Sequence, residues 1–178
     1  MRLLWIGILV LLFASLASLI SNGRGAILMQ RSWAEASNVI PETRLAEFEQ
    51  ASALVTSRLF GSIPQEFRDK VSRKLWSAVA LMIFRLLVLL HLAPALLLPL
   101  LVGLLEGWWA RENQRSLIKI HSPMRFSLAL MGLGFIPIMA LLWVTAPMTV
   151  PTVMLVVLTA VFAIFNTRNV IVHAPTQF

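Results

Sequence analysis

The sequence predicts an all-α integral membrane protein of about four transmembrane helices, with an amphipathic helical region between the first and the second. Three observations predict it. The 178-residue chain is 58% hydrophobic and only 13% charged, and its mean hydropathy of +0.83 lies outside the range of soluble globular domains. Its apolar residues are gathered into runs long enough to cross a hydrocarbon core of ~30 Å, which takes ~20 helical residues at 1.5 Å each. Residues 21–74 interrupt this pattern with a polar stretch of mixed charge. The chain has no cysteine, which excludes disulfides, iron–sulfur clusters and thiol catalysis. The net charge of +7 points, in such a chain, to orientation and anionic lipid rather than to nucleic acid.

Residues 1–20 begin with Arg2 and run apolar from Leu3 through Ile20. Ser15-Leu16-Ala17 makes a passable signal-peptidase site. The apolar run continues past it, so a retained N-terminal span is the preferred reading. Residues 21–74 read as two extramembrane amphipathic helices. The first starts at Pro41, which suits a first turn, carries Leu45, Phe48, Ser52, Val55 and Leu59 on one stripe, and stops at Gly61. Ser62-Ile63-Pro64-Gln65 resembles a capping box for the second, whose stripe is Phe67, Val71 and Leu75. Glu66–Lys70 and Asp69–Arg73 are i,i+4 pairs on its wet side.

Residues 75–168 form a three-span membrane domain. The run from Leu75 to Trp109 is longer than a bilayer needs, and it carries Arg85, His91, Pro94 and Pro99. The span is best placed at Leu86–Leu105, with Arg85 at one hydrocarbon edge and Glu106, Trp108, Trp109 and Arg111 at the other. Each proline removes a backbone hydrogen bond and bends the helix. The alternative puts Leu75–Ala93 in the bilayer, with Pro94–Leu105 folding back as a re-entrant piece. Arg111, Arg115 and Lys119 then recur at intervals of four on one face, within a basic loop over 106–125 that Ser122-Pro123 closes. Phe126–Thr145 is the third span, loosened by Gly132, Gly134 and Pro137, and Thr152–Phe165 a short fourth. Asn166-Thr167-Arg168 leaves the membrane, and residues 169–178 are a short tail. Placing Arg2, Arg111, Arg115, Lys119, Arg125 and Arg168 on one side satisfies the positive-inside rule, with both termini cytoplasmic. Arg68, Lys70, Arg73 and Lys74 count against that arrangement.

Arg85 is the foremost candidate for a specific role. A charge at mid-span costs ~2.5–3.5 kcal/mol on insertion scales, less at the edge, so something must offset it. Snorkelling to lipid phosphate is the preferred account. An intramembrane partner, such as a carboxylate of another subunit, and a place on an ion path are the alternatives. His91 lies off the Arg85 face and has no second ligand near it, so it reads as a satisfied polar contact and not a metal site. The Arg111/Arg115/Lys119 stripe beside two tryptophans reads as lipid-facing, ahead of a protein or nucleic-acid surface. Glu106 pairs with Arg111 or with a partner subunit. There is no nucleotide-binding loop, no nucleophile elbow and no spaced His/Asp/Glu set. No enzyme activity, catalytic residue, cofactor or metal is therefore expected.

The run Arg85-Leu-Leu-Val-Leu-Leu-His91-Leu-Ala-Pro94-Ala95, then Glu106-Gly107-Trp108-Trp109-Ala110-Arg111, then His121-Ser122-Pro123, resembles a family of small bacterial inner-membrane proteins. These are encoded within integrating conjugative elements and related conjugative plasmids. The resemblance covers roughly Trp76 to Arg168; Glu106-Gly107 stands where relatives often carry Asp-Gly. It implies an accessory, non-enzymatic role in conjugative DNA transfer, beside the coupling ATPase that feeds a type IV secretion channel. It carries over no catalytic residue, and no direct nucleic-acid binding is expected. Arg85, His91, Pro94, Glu106, Gly107, Arg111, Ser122 and Pro123 are the candidate helix-contact or anchoring residues, with Gly132 and Gly134 permitting close approach. A small channel or transporter using Arg85 and His91, and an exclusion or immunity factor of a mobile element, are the rival functions.

Overall fold

A computed structural model describes residues 2–22, 24–60, 73–113 and 122–174. Among the described residues the chain is helical, without strands. The elements in order are α1 (Arg2–Asn22), α2 (Gly25–Ala36), α3 (Glu42–Phe60), α4 (Arg73–Asn113), α5 (Pro123–Thr145) and α6 (Thr152–His173). Three of them, α4, α5 and α6, are long and apolar enough to cross a membrane. The number is up to four if Leu9–Ser21 and Gly25–Ala36, bent by 111°, are counted as one span. The contacts divide the chain into two compact units, residues 1–91 with 140–154 and residues 92–139 with 155–178.

In the first unit, α1 runs antiparallel to the start of α4. Leu19 packs with Leu28 of α2 and with Ala78 and Leu81 of α4, and Lys74 Nζ donates to the Ser21 carbonyl at 3.2 Å. Gly25 opens α2 hard against α4: a Cβ there would lie 2.6 Å from the Ser77 carbonyl carbon. Helix α2 has no counterpart among the elements expected from sequence. Residues 37–40 then turn the chain, with the Val39 and Ile40 amides on the Ala36 carbonyl and Ile40 buried. Helix α3 begins directly after Pro41, whose carbonyl accepts from Arg44 and Leu45. It runs antiparallel to α4, with the Phe48 ring against His91 and the Phe60 ring against Trp76.

The stripe expected on α3 is only partly the buried one. Leu45 and Ser52 are buried, but Val55 is 41% and Leu59 61% exposed. Thr56 takes the inner position instead. The seam is made of small residues whose hydroxyls bond back to their own helix. Ser52 Oγ donates to Glu49 O at 2.8 Å, and Thr56 Oγ1 to Ser52 O at 2.6 Å. That lets α3 lie close without burying an unsatisfied hydroxyl. The capping box at 62–65 and the Phe67/Val71 stripe lie outside the described residues.

Helix α4 is 41 residues long, about 62 Å at 1.5 Å per residue. It runs through Pro94 and Pro99 as one helix, so the re-entrant alternative is not what the chain adopts here. In the second unit α4 and α6 are parallel and α5 antiparallel to α6. A Cβ on Gly103 would meet the Ile164 carbonyl oxygen at 2.7 Å, and one on Gly107 the Ile171 Cβ at 2.9 Å. A Cβ on Gly132 of α5 would collide with the Asn166 side chain, whereas Gly134 faces open space. Among the described residues Gly134 therefore meets no neighbouring helix. Helix α6 also differs from its expected bounds. Asn166 and Thr167 are buried and stay inside the helix, which continues to His173. Asn166 Nδ2 is satisfied by the Phe162 carbonyl at 2.8 Å.

Candidate functional site: a buried arginine at the end of α5

A helix leaves its last four carbonyls without intrahelical donors, and in apolar surroundings each needs another one. Helix α5 ends at Thr145, and Pro147 and Pro151 bring no amide hydrogen to the turn that follows. The missing donors come from side chains. Arg85, about a third of the way along α4, reaches the turn and is 1% exposed. Its Nη1 donates to the carbonyls of Ala146 at 2.6 Å, Trp143 at 3.1 Å and Val144 at 3.4 Å. Its Nη2 donates to the Met148 carbonyl at 2.9 Å. Nη2 and Nε both reach Ser32 Oγ of α2, at 3.1 and 3.2 Å. The Trp143 ring lies under the guanidinium at 5.5 Å, a cation–π distance. Trp143 Nε1 donates to the Val150 carbonyl at 3.2 Å. Ser15 of α1 caps the Thr145 carbonyl at 3.0 Å.

The charge is thus met by carbonyl dipoles and the negative end of a helix. The preferred expectation, snorkelling to phosphate, does not describe this side chain, and neither does pairing with a carboxylate. Four carbonyls and one hydroxyl occupy the five N–H donors of the fork, which is geometry that a lysine cannot match. Chemically the site is a clamp. It joins α2, α4 and the α5–α6 turn and leaves no N–H free for a substrate.

His91 is exposed and meets the Phe48 ring edge-on at 5.6 Å, so it does not join Arg85. Pro94 is exposed within α4. Glu106, Gly107 and Arg111 come together at the far end of α4, against α6. Glu106 faces Arg168 at 3.8 Å; its cation is this α6 residue and not Arg111. Arg111 Nη1 instead reaches the Ile171 carbonyl at 3.4 Å, a weaker version of the Arg85 device at the end of α6. Ser122 Oγ accepts from the Arg125 amide at 3.4 Å, and Pro123 is the first residue of α5, where its missing N–H costs nothing. Arg115 and Lys119 lie outside the described residues.

Sequence reasoning missed Ser32, Trp143, Gly103, Asn166 and the part Arg168 plays. Gly103 had a signal: Gly103-x-x-x-Gly107 in an apolar run is the pattern of close helix packing. Ser32 had none.

Residues 31–171 match the family described as IncC plasmid conjugative DNA transfer protein DtrJ-like. The chain belongs to this DtrJ-like family. The match takes in the whole Arg85 clamp except Ser15, and the contacts of Gly103, Gly107 and Gly132 with α6. The resemblance read from residues 85–123 therefore holds at the level of a family involved in conjugative DNA transfer. No curated protein and no solved structure matches the chain.

Proposed function

We propose that this DtrJ-like protein is a non-enzymatic, multi-span component of the bacterial inner membrane that serves conjugation by contact. In this reading it holds other proteins of the transfer apparatus, the coupling ATPase of a type IV secretion channel first among them, on a plasmid or integrative conjugative element.

The observation that carries the reading is the outer surface of α4, α5 and α6. Only 18%, 22% and 22% of their apolar windows are buried. Leu90, Leu105, Met124 and Phe165 are each more than 60% exposed. An aqueous monomer does not sustain apolar surface on that scale; lipid does. Arg111, Arg125 and Arg168 lie at the C-terminal ends of α4 and α6 and the N-terminal end of α5. The positive-inside rule assigns these ends to the cytoplasm. Helix α4 is about twice the length that hydrocarbon requires. In this reading α2, α3 and the first turns of α4, before the crossing that begins near Arg85, are the region that meets partners. The clamp supports a structural role, because its donors are already committed to this chain.

Deleting the gene from a donor is expected to abolish transfer without slowing growth, and a plasmid-borne copy is expected to restore it. Alkaline carbonate should leave the protein in the membrane pellet. Undiminished transfer from the deletion strain would end the proposal. Reduced transfer only when the gene is expressed in the recipient would favour an exclusion factor instead.

A further inference from the structure

One carboxylate stands where the packing of α3 would bury it. Glu49 falls on the stripe of Leu45, Ser52 and Thr56, at helical spacing. Those three side chains are buried, yet Glu49 is exposed. A groove of about 570 Å³ between α2 and α3 keeps it open. The other lining residues, Ala26, Met29, Gln30 and Trp33, recur at i, i+3, i+4 and i+7 on one face of α2. Met29 and Trp33 are half-buried there. Glu49 is the one charged residue of the lining, and among the described residues no basic side chain pairs with it. Arg44, earlier on α3, is committed to Glu47 at 2.8 Å. Trp33 Nε1 is buried without an acceptor among the described residues, and a buried donor left unmade is costly. The groove thus holds an aromatic wall and an unpaired carboxylate, and it lacks an acceptor.

We propose that this groove docks a partner protein through an arginine side chain, with the guanidinium on the Glu49 carboxylate and the stem against Met29 and the Trp33 ring. This rests on the contact reading and names the chemistry of the partner surface. A guanidinium fits because its fork matches a carboxylate in two bonds and its plane lies on an indole face. A backbone carbonyl of the same segment is the acceptor that Trp33 Nε1 lacks, reached by a turn of the ring toward the groove. The volume falls within the ~300–1,000 Å³ of ligand sites, which admits the side chain together with adjoining backbone. The carboxylate turns away a phosphate, and with it a nucleic-acid backbone or an anionic lipid, since no cation lines the groove to receive one.

Nuclear magnetic resonance of the full-length protein in maltoside micelles, isotope-labelled at its tryptophan indoles, tests this. The probe is a capped pentapeptide with one arginine between alanines, and its counterpart carries neutral citrulline instead. Of the signals from the six tryptophans, the one missing in Trp33→Phe belongs to Trp33. The arginine peptide is expected to move that signal downfield and saturably. The citrulline peptide should bind about ten-fold more weakly, as for the loss of one hydrogen-bonded charge pair. Glu49→Gln, with unchanged helical circular dichroism, should bring the arginine peptide to the citrulline level. Glu47→Gln, whose carboxylate belongs to Arg44, should leave binding unchanged and controls for general charge loss. Equal binding of the two peptides, an unmoved Trp33 signal, or equal weakening by both glutamate variants would overturn the site. The same shift produced by phosphatidylethanolamine in the micelle would reassign it to a lipid ammonium. Self-association without peptide, lost in Glu49→Gln, would reassign it to a second copy of this chain. If deletion of the gene abolishes transfer but Glu49→Lys donors transfer normally, this groove alone is defeated. Undiminished transfer from the deletion strain would defeat the contact reading itself.

Discussion

Arg85 replaces what the backbone cannot supply. The α5–α6 turn holds two prolines and follows a helix end, so it is rich in carbonyls and poor in amide hydrogens. One guanidinium serves four of those carbonyls and Ser32 together. Arg85→Met keeps the stem but orphans them. With ~1–3 kcal/mol for each buried group left unsatisfied, the loss should reach at least about 3 kcal/mol even if the turn relaxes. Arg85→Lys offers a point charge with three donors and should recover only part. Ser32→Ala removes one acceptor while the carbonyls remain, and should cost about 1 kcal/mol. Thermal unfolding in detergent, followed by circular dichroism, should rank the variants Ser32→Ala, Arg85→Lys, Arg85→Met in order of rising damage. A methionine variant as stable as the wild type would mean that the turn is held by something else.

At the scale of elements, glycine decides which helices touch. Gly103 and Gly107 let α6 lie against α4, and Gly132 leaves room for Asn166. Gly103→Val should destabilise by more than the ~1–3 kcal/mol of ordinary overpacking, because the nearest atoms met there are backbone and cannot move aside, whereas Gly132→Val meets the end of the Asn166 side chain, which can turn away, and should cost less. Gly134→Ala should be neutral or stabilising by about 0.5–1 kcal/mol, since its Cβ enters open space and helix propensity improves. A Gly134 variant as damaging as Gly103→Val would refute this division of roles. These contacts also mark how far the sequence could be read. The long apolar helices were legible because hydrophobic runs announce themselves, and Arg85 was legible as a charge out of place. Its acceptors were not, because a backbone carbonyl leaves no mark in the residue code and nothing distinguishes Ser32 from the neighbouring serines Ser21 and Ser37. The inner seam of α3 was misread at Val55 and Leu59 because apolar side chains draw attention away from Thr56. Asn166 and Thr167 looked like a helix exit, yet each is buried in α6, Asn166 over Gly132 and Thr167 against Gly103.

For the whole molecule, the decisive issue is which residues share a side of the membrane. The α2–α3 turn and the α5–α6 turn are far apart in sequence, but Ser32 and the 143–148 carbonyls meet on the same guanidinium. In the proposed membrane reading, Asn38 and Met148 are therefore expected to face the same compartment, whatever the orientation. Continuous α4 adds a second condition. If it crosses the bilayer once between Arg85 and Asn113, then Asn113 lies opposite both, and so does the end of α6 at Ala174. A re-entrant segment after Pro94 would return Asn113 to the Asn38 side. Alkaline phosphatase and green fluorescent protein inserted at Asn38, Asn113, Met148 and Ala174 separate these outcomes. The expected result is phosphatase activity at Asn38 and Met148, and fluorescence at Asn113 and Ala174, as the basic ends of α4 and α6 require. Opposite reports from Asn38 and Met148 would break the clamp as the organising contact. Agreement between Asn38 and Asn113 would break the single crossing of α4. Fluorescence at Asn38 and Met148 with phosphatase activity at the other two would keep both and reverse the orientation, moving α2 and α3, the helices proposed to meet partners, into the cytoplasm, on the side where a coupling ATPase acts.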